Sequence, residues 1–420
     1  MDRFALRRVS LGDIPVAGLR GRDREAEEVA RRIIDEVTAE GEAALRRWAV
    51  TFGEIRAGDE LFLDRAALAR ALREIPIADR ELLERSRDRI MSFAAAQRTC
   101  LSELDQPVPG GMAGHRFLPV ARAGCYVPGG RYPLASSALM TAVPAVAAGV
   151  SSVWCAGPKP GKLTLAAAAL AGAEGFLAAG GAQAIAALAT GCGPVSARDV
   201  VVGPGGRFVA AAKRLLFGSV GTEAPAGPSE LLVIADGGAD PKMVAADLAA
   251  QAEHDVAARA ALVAFDRPFV ERVESELGSQ LAGLPEPNAS VAAASLSSGG
   301  WALVASSREE ACEAAQRFAP EHLEILAADA DFFAGSIGNA GAVFIGAGAA
   351  EVLGDYGAGP NHCLPTGGAA RFAAGLSVLT FLRARTYLRL EDPRGIAADA
   401  AAFARLEGLE AHARSAELRS

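Results

Sequence analysis

The start of the chain alternates apolar and charged positions at the spacing of amphipathic helices. From Arg24 to Trp48, apolar side chains recur every three or four positions with charged residues between them, a spacing that predicts a helix with one buried face. The segment from Asp64 to Arg98 repeats the pattern, with Asp64 as the expected N-cap and Pro76 as a break. The first hundred residues are therefore predicted to form a layer of helices whose role is packing.

From about Arg122 the pattern changes to short apolar runs that end in glycine or proline and precede alanine-rich helices. This order predicts strands joined by glycine turns to helices, as in right-handed βαβ units on a parallel sheet. The apolar runs begin at Ser152, Gly175 and Asp199, and helices are expected from Thr164, over 182–189 and over 208–217.

A second series of the same kind follows Ser229. Strands are expected over 231–236, 260–265, 301–305 and 342–345, with helices over 241–254 and 308–318. The fold class is therefore α/β, with two parallel-sheet Rossmann-like modules, a helical N-terminal segment and a helical C-terminal tail.

These patterns divide the chain into domains. We expect an N-terminal arm over 1–24 and a larger α/β domain made of 25–112 with 229–376, on the assumption that the first helices pack on the second module. Residues 113–228 then form an inserted Rossmann-like domain. The tail over 377–420 is alanine-rich and charged, is expected to be helical without a sheet of its own, and is expected to dock on a partner subunit.

Composition narrows the functional class. The 420 residues are 51% hydrophobic and 22% charged, which excludes disorder, a collagen-like repeat and a disulfide-rich mini-protein. A net charge of −8 makes nucleic acid and anionic membranes poor partners. The start is not typical of a signal peptide, and the longest apolar stretch, Leu139 to Ala156, is interrupted by proline and glycine. Six scattered cysteines without a CxxC pair indicate reduced thiols and a cytoplasmic protein.

Gln251 and His254 end a predicted helix and lie on one of its faces. An amide oxygen and an imidazole nitrogen that converge in this way suit a metal ion with N and O ligands, above all zinc. The alternative is a histidine that only interacts with the C-terminal end of the helix dipole.

Glu321 and His322 follow Pro320, where a rigid turn can present an acid and an imidazole to a cleft. Histidine is well suited to proton transfer near neutral pH. The alternative is a charged turn on the surface.

The segment over 354–368 is predicted to be a long polar loop, a type that is usually functional inside a compact domain. In it, Asp355 offers a carboxylate ligand and His362 a substrate contact. Glu407 and His412 lie on the tail, where the alternative is a solvated helix, and His115 is interpreted as structural.

Two glycine loops follow predicted strands of the first module, near strand ends where α/β sheets bind ligands. The loop over 203–206 has backbone amides that can face an anion, although Pro204 removes one of them. The loop over 126–130 begins with Tyr126, whose ring can stack on a flat cofactor.

Together, these strings resemble the histidinol dehydrogenases, in which they occur in the same order. The resemblance extends from about residue 25 to the end of the chain. The strings that carry it are 124–130, 180–189, 226–230, 250–254, 319–324, 359–367 and 407–412.

The resemblance implies a cytoplasmic, homodimeric enzyme that uses NAD and zinc to oxidise L-histidinol through histidinal to L-histidine with two NAD+. It implies Gln251, His254, Asp355 and His412 as zinc ligands, which together with His322 would also contact the substrate. Further implied substrate contacts are Ser229, Glu407 and His362; the implied acid–base pair is Glu321 and His322; and the implied cofactor contacts are Tyr126, Gln183 and the loop at Gly206. In this family the tail reaches the partner's site, so that Glu407 and His412 would act in trans.

Two positions depart from the family pattern. Gly206 stands where asparagine is usual, which removes a side-chain contact to the cofactor, and Glu223 stands where aspartate is usual. Two other functions remain open at this stage: a homologous zinc- and NAD-dependent dehydrogenase of another small polar alcohol, and a non-catalytic two-domain ligand-binding protein. The retained strings at 407–409 and 375–378 favour histidinol, and the Glu321–His322 pair argues against a mere binder.

Overall fold

The computed structural model describes residues 5–14, 23–129, 134–224 and 227–420. Half of the expected N-terminal arm (1–4 and 15–22), together with Gly130 of the tyrosine loop and Ala226 of the string before Ser229, lies outside the described residues.

Three sheets organise the described part of the chain. The strands are β1 Arg7–Arg8, β2 Phe62–Asp64, β3 Leu104–Val108, β4 Gly111–Pro119, β5 Arg122–Tyr126, β6 Ser152–Ala156, β7 Gly175–Leu177, β8 Val200–Val202, β9 Glu230–Ala235, β10 Arg259–Ala264, β11 Trp301–Val304, β12 His322–Leu326, β13 Ala342–Ile345 and β14 Leu382–Leu390.

The helices connect and cover these strands. They are α1 Arg24–Glu40, α2 Glu42–Thr51, α3 Arg65–Glu74, α4 Ile77–Thr99, α5 Ala135–Ala148, α6 Lys162–Leu170, α7 Gly181–Thr190, α8 Arg207–Leu216, α9 Pro241–Glu253, α10 Arg267–Gly283, α11 Asn288–Gly299, α12 Arg308–Phe318, α13 Ala330–Ser336, α14 Glu351–Asp355, α15 Arg394–Leu406 and α16 Glu410–Glu417.

The larger sheet has six parallel strands in the order β1-β11-β10-β9-β12-β13. Its central strands are buried on both faces, and successive residues of β9 point to opposite sides. Leu231 and Val233 pack in a core with α9, α10 and α11, whereas Leu232 and Ile234 pack with α12 and α13. The predicted second α/β module is therefore confirmed.

The second sheet has the order β2-β7-β6-β5-β8. Strands β5 to β8 are parallel and β2 is antiparallel to β7. One face is covered by α3, α4, α5 and α6, and the other by α1, α2, α7 and α8.

The expectation that the first helices pack on the six-stranded module is wrong. Helix α1 contacts α7 and α8, α3 contacts α6, and α4 contacts α5, while Phe62–Asp64 adds an edge strand to the second sheet. The physical reason is that the apolar faces of these helices cover faces of the five-stranded sheet that its own helices leave open. Residues 23–99 therefore join the module that was expected to be an insertion.

The tail also departs from expectation, because it contains a long strand. Leu382–Leu390 pairs antiparallel with the whole of β4, and β3 completes a three-stranded sheet in the order β14-β4-β3. The expectation of a tail without a sheet is wrong here, since the backbone of this segment forms a ladder of hydrogen bonds along the whole of β4, with Arg383 and Arg385 exposed to solvent. The remainder of the tail is helical, as predicted, in α15 and α16.

Local signals in the sequence account for several element boundaries. Asp64 caps α3 by accepting a hydrogen bond from the Ala67 amide, as predicted. The long helix expected from Arg24 is divided at Gly41, whose φ of 60° favours glycine. All six cysteines are free thiols. In the part of the chain that the structure describes, no helix has the length and apolar character needed to span a membrane.

Candidate active site

The titratable residues gather at the amino edge of the six-stranded sheet. Glu230 is the first residue of β9 and His322 the first of β12, and the register sets His322 beside Leu231 and Ala342. The pair Glu321–His322 was expected on a turn that opens to a cleft. Instead, His322 begins a buried central strand, and the two residues are 6% and 3% exposed.

His322 is held as a neutral imidazole. Its Nδ1 lies 3.3 Å from the carbonyl oxygen of Glu230, 3.5 Å from Oε1 of Glu351 and 3.8 Å from Oε2 of Glu321. Burial lowers the pKa of His322 to about 3, with further lowering from His254 and His362. A neutral ring whose Nδ1–H donates to the Glu230 carbonyl keeps Nε2 as a proton acceptor.

Two carboxyl groups flank this imidazole. Oε2 of Glu321 accepts a hydrogen bond of 3.0 Å from the Glu230 amide, and burial raises the pKa of Glu321 well above its usual value. Burial also raises the pKa of Glu351 well above its usual value, with Asp355 and Glu321 adding to the effect. A carboxyl group with a raised pKa can exchange a proton near neutral pH.

Glu351 is a site residue that the sequence reasoning missed. Both of its carboxyl oxygens are buried and lack a hydrogen-bond partner among the described residues. Its position, four residues before Asp355 and therefore on the same helical face, is the signal that could have identified it.

The cluster has the donor atoms of a metal site. One ligand atom from each of His322, Glu351 and Asp355 lies within 4.8 Å of the others. Asp355 was expected in a loop but is the last residue of α14, and burial raises its pKa to about 7. Carboxylates whose protonation is favoured by burial become stable anions when a cation binds.

Gln251 fits the same site. It lies in the last turn of α9, which contacts α14, and its side chain is fully buried. Neither its amide oxygen nor its amide nitrogen has a hydrogen-bond partner among the described residues. Because an unpaired buried amide is costly, a ligand to this oxygen would remove the cost.

The other predicted residues on this side of the molecule gather around the cluster. His254 follows the last residue of α9; partial desolvation lowers the pKa of its imidazole, although the residue as a whole is solvent-accessible.

Nδ1 of His362 lies 3.2 Å from the carbonyl oxygen of Asp355, and burial lowers the pKa of His362 to about 4. Ser229 directly precedes Glu230. Nε2 of His362 lies 3.5 Å from Oγ of Ser137 on α5, so this histidine bridges the two modules.

The tail residues lie apart from the cluster in this single chain. Glu407 follows α15 and His412 lies on α16, and both are exposed. The same two helices and the residues that flank α16 expose several large apolar side chains, at Phe403, Leu406, Leu409 and Leu418.

The expected cofactor residues lie on the five-stranded sheet, and two of the expectations need correction. Tyr126 ends β5 with its ring packed in the core at 4% exposure, so the ring is not free to stack on a ligand. Its hydroxyl instead accepts a hydrogen bond of 3.1 Å from the Gly181 amide. The Gly203 amide donates to Glu223, which forms a buried ion pair with Lys213, and is therefore not available to an anion.

Gln183 and Gly206 occupy different environments at these loops. Gln183 is fully buried in the first turn of α7, and its oxygen has no hydrogen-bond partner among the described residues. Gly206 is the N-cap residue of α8, and a Cβ at this position would have open space around it.

Comparison with known proteins gives a consistent result. The family model of histidinol dehydrogenase matches residues 20–420. A histidinol dehydrogenase from Thermus thermophilus is 44% identical over 94% of this chain and 95% of its own length. A histidinol dehydrogenase homolog from Ruegeria pomeroyi is 40% identical over 94% of this chain and 93% of its own length.

The fold agrees with these matches. The crystal structure of a histidinol dehydrogenase from Elizabethkingia anophelis has a TM-score of 0.91 and 28% sequence identity, and the match covers 100% of this chain and 99% of that one. The resemblance stated from the sequence is therefore confirmed. The chain belongs to the histidinol dehydrogenase family and is an oxidoreductase of histidine biosynthesis.

Proposed function

We propose that this enzyme uses two NAD+ and one zinc ion per site to oxidise L-histidinol through histidinal to L-histidine. The observation that carries the proposal is the neutral, buried His322 beside the Glu351 carboxyl group, together with the buried Gln251 amide; both of these groups lack hydrogen-bond partners among the described residues. Such a cluster is expensive to bury unless a ligand completes it, and it combines a proton acceptor with metal donors.

The proposed zinc ligands are Gln251, His254 and Asp355, completed by His412 from a second copy of the chain. The unpartnered amide of Gln251 and the raised pKa of Asp355 support the first and third of these ligands. When bound, zinc would supply a positive charge that holds the amino and imidazole nitrogens of the substrate and orients its alcohol.

The chain's own residues move the protons. Nε2 of His322 accepts the proton of the substrate hydroxyl. When bound, NAD+ would accept the hydride that leaves the same carbon. Glu321 then takes a proton from the water that adds to the aldehyde. Once His322 has released its first proton to solvent, its Nε2 accepts the hydroxyl proton of the hydrate, and a second NAD+ would accept the second hydride. Ser229, His362 and Glu407 contact the substrate, and Gln183 and the loop at Gly206 hold the cofactor.

We further propose a homodimer whose active sites are shared. The tail exposes Phe403, Leu406, Leu409 and Leu418, a set of apolar side chains that a partner subunit would bury. Docking of the tail would bring Glu407 and His412 to the partner's cluster, which this single chain leaves without them. The free thiols are consistent with the reducing cytoplasm as the location of this dimer.

Mixing of inactive protomers tests the shared site. His322→Ala and His412→Ala homodimers should each be inactive, and heterodimers formed by unfolding and refolding them together should recover activity, because one of the two sites is then intact. Histidinol-dependent NADH formation measures the recovery. Confirmed heterodimers without activity would contradict the contribution of His412 in trans.

The substrate assay tests the reaction itself. The zinc-loaded enzyme should form two NADH per histidinol, chelation should abolish this activity, and added zinc should restore it. Full activity of protein shown by metal analysis to be zinc-free would contradict the metal assignment.

One observation keeps a second candidate substrate in view. The relative from Ruegeria pomeroyi that is named only a homolog is 40% identical to this chain, against 44% for the Thermus thermophilus enzyme. A sequence identity of this size is therefore compatible with another small polar alcohol as the substrate. Turnover of such an alcohol without turnover of histidinol would favour this candidate.

A further inference from the structure

The loop after α2 brings a carboxylate to the carboxyl edge of the five-stranded sheet. Gly53, with a φ of 64°, turns the chain, and the Glu54 amide donates a hydrogen bond of 2.8 Å to the carbonyl of Ala49. Oε2 of Glu54 accepts hydrogen bonds from the Gly180 amide at 2.9 Å and from Nε2 of Gln183 at 3.1 Å. The carboxylate therefore lies at the N-terminal end of α7, where the helix amides stabilise a negative charge.

At the N-terminal end of α7, two acceptor oxygens have no described hydrogen bond and could accept one from a ligand. Oε1 of Gln183 is buried without a hydrogen-bond partner in the described ranges, and both described hydrogen bonds to Glu54 use Oε2 rather than Oε1. The buried Gln183 oxygen needs a donor, and Oε1 of the half-buried Glu54 can accept a further hydrogen bond. A ligand hydroxyl supplies one, whereas a phosphate group offers only acceptors and a like charge.

The position of Glu54 beside the ends of two strands indicates which hydroxyl of the ligand it would bind. A Cβ built on Gly180 would lie 2.8 Å from Oε1 of Glu54 and 2.8 Å from the ring of Pro158, so Glu54 lies between the ends of β7 and the neighbouring β6. In parallel dinucleotide-binding sheets, an acid at the end of the second strand binds a ribose 2′-hydroxyl. Here β6 is that strand, and it is followed by Pro158 and the exposed Lys159 rather than by an acid.

We propose that Glu54 makes the enzyme select NAD+ over NADP+, by accepting a hydrogen bond from the adenosine ribose and repelling a 2′-phosphate. This inference rests on the proposed use of NAD+, and it assigns the discriminating carboxylate to a loop outside the sheet. Gln183 serves as the second acceptor for the ribose. Burial raises the pKa of Glu54, and the hydrogen bonds from Gly180 and Gln183 and the charge of Lys159 act against this rise. Lys159 is the cation that a 2′-phosphate would meet once Glu54 is replaced by a neutral residue.

The test is a comparison of cofactor affinities by calorimetry on the zinc-loaded enzyme. Glu54→Gln removes the charge but keeps an acceptor for the Gly180 amide. We expect wild-type enzyme to bind NAD+ more tightly than NADP+, and Glu54→Gln to reduce this preference by about tenfold or more, with tighter NADP+ binding. Glu54→Asp, which keeps the charge, should retain discrimination, and Glu28→Gln, at an exposed position on α1, should behave as wild type.

Several outcomes would overturn the proposal. These are an unchanged preference in Glu54→Gln, an equal loss of affinity for both cofactors, or a wild-type enzyme that binds both equally. Failure of the wild-type enzyme to bind either cofactor or to form NADH would instead refute the proposed NAD dependence. The two kinds of failure are therefore distinguishable in one set of titrations.

Discussion

The two parallel sheets of this molecule carry their functional groups at opposite edges. At the amino edge of the six-stranded sheet, His322, Glu321 and Glu351 are buried, and their pKa values are displaced from the usual range. At the carboxyl edge of the five-stranded sheet, the backbone amides of Gly180, Gly181 and Gly203 are already paired with the side chains of Glu54, Tyr126 and Glu223.

This difference separates chemistry from binding in physical terms. Burial of unpaired polar groups costs free energy of folding, and that cost is concentrated where a proton acceptor and metal donors are needed. Paired amides cost little, but a ligand at the five-stranded sheet has to complete or replace hydrogen bonds that already exist. Ligands of open α/β sheets usually bind at the carboxyl ends of the strands, and the residues expected to bind the cofactor lie at that edge of the five-stranded sheet. The titratable cluster lies instead at the amino edge of the six-stranded sheet.

The largest effect is expected from His322→Gln, which removes the proton acceptor from the chemical side of this comparison. The value of kcat should fall by about a hundredfold to ten-thousandfold in both oxidation steps, because the variant lacks the imidazole whose Nδ1–H donates to the Glu230 carbonyl and whose Nε2 accepts the proton. Steady-state and single-turnover NADH formation measure the loss. NAD+ affinity and zinc content should stay unchanged, and His115→Gln on β4 is the matched control. Activity of the His322→Gln variant near that of the wild type would contradict the assignment of His322 as the proton acceptor.

A stability effect should come from Glu324, a buried residue of β12 whose Oε1 accepts a hydrogen bond of 2.5 Å from the Glu351 amide. Burial and the nearby Asp247 raise the pKa of Glu324 to about 8. Below about pH 4.5 the carboxyl is protonated in both the folded and the unfolded state. As pH rises towards 8, the unfolded state loses this proton more readily, and the folded state is therefore destabilised.

Glu324→Gln removes this dependence. The free energy of unfolding of the metal-free variant should exceed that of the wild type by on the order of 3 kcal/mol at pH 8 and by little at pH 4.5. Urea denaturation across this pH range measures the difference. Exposed Glu313→Gln on α12 should show no such trend. A constant difference at all pH values would mean that titration of Glu324 does not contribute.

The smallest effect is expected on the binding side, from Gly206→Asn. Gly206 has a φ of −67° and open space around it, so asparagine fits without strain at this N-cap. One added hydrogen bond should tighten NAD+ binding about fivefold in calorimetry and leave zinc affinity unchanged. Gly206→Ala, which adds volume without an amide, should give no gain, and an equal gain in both variants would exclude a side-chain contact.

The comparison also marks the limit of local sequence patterns. Hydrophobic periodicity and glycine turns located the strands and helices of both sheets, because burial on a sheet face imposes a period that the residues themselves carry. The partner of an amphipathic helix is not encoded in its period, and the helices over 25–99 were consequently assigned to the wrong module. The strand over 382–390 was missed in an alanine-rich tail for the same reason, since pairing with β4 decides its conformation.

The sequence by itself determined the family, the α/β class and the candidate residues, since ordered motifs and apolar periods are properties of the chain. Tertiary structure decided how those residues behave. Only folding buries His322 at the head of a central strand, adds Glu351 beside it and leaves the amide of Gln251 unpaired. Those properties arise from desolvation and from distances between segments far apart in sequence, which no local pattern contains.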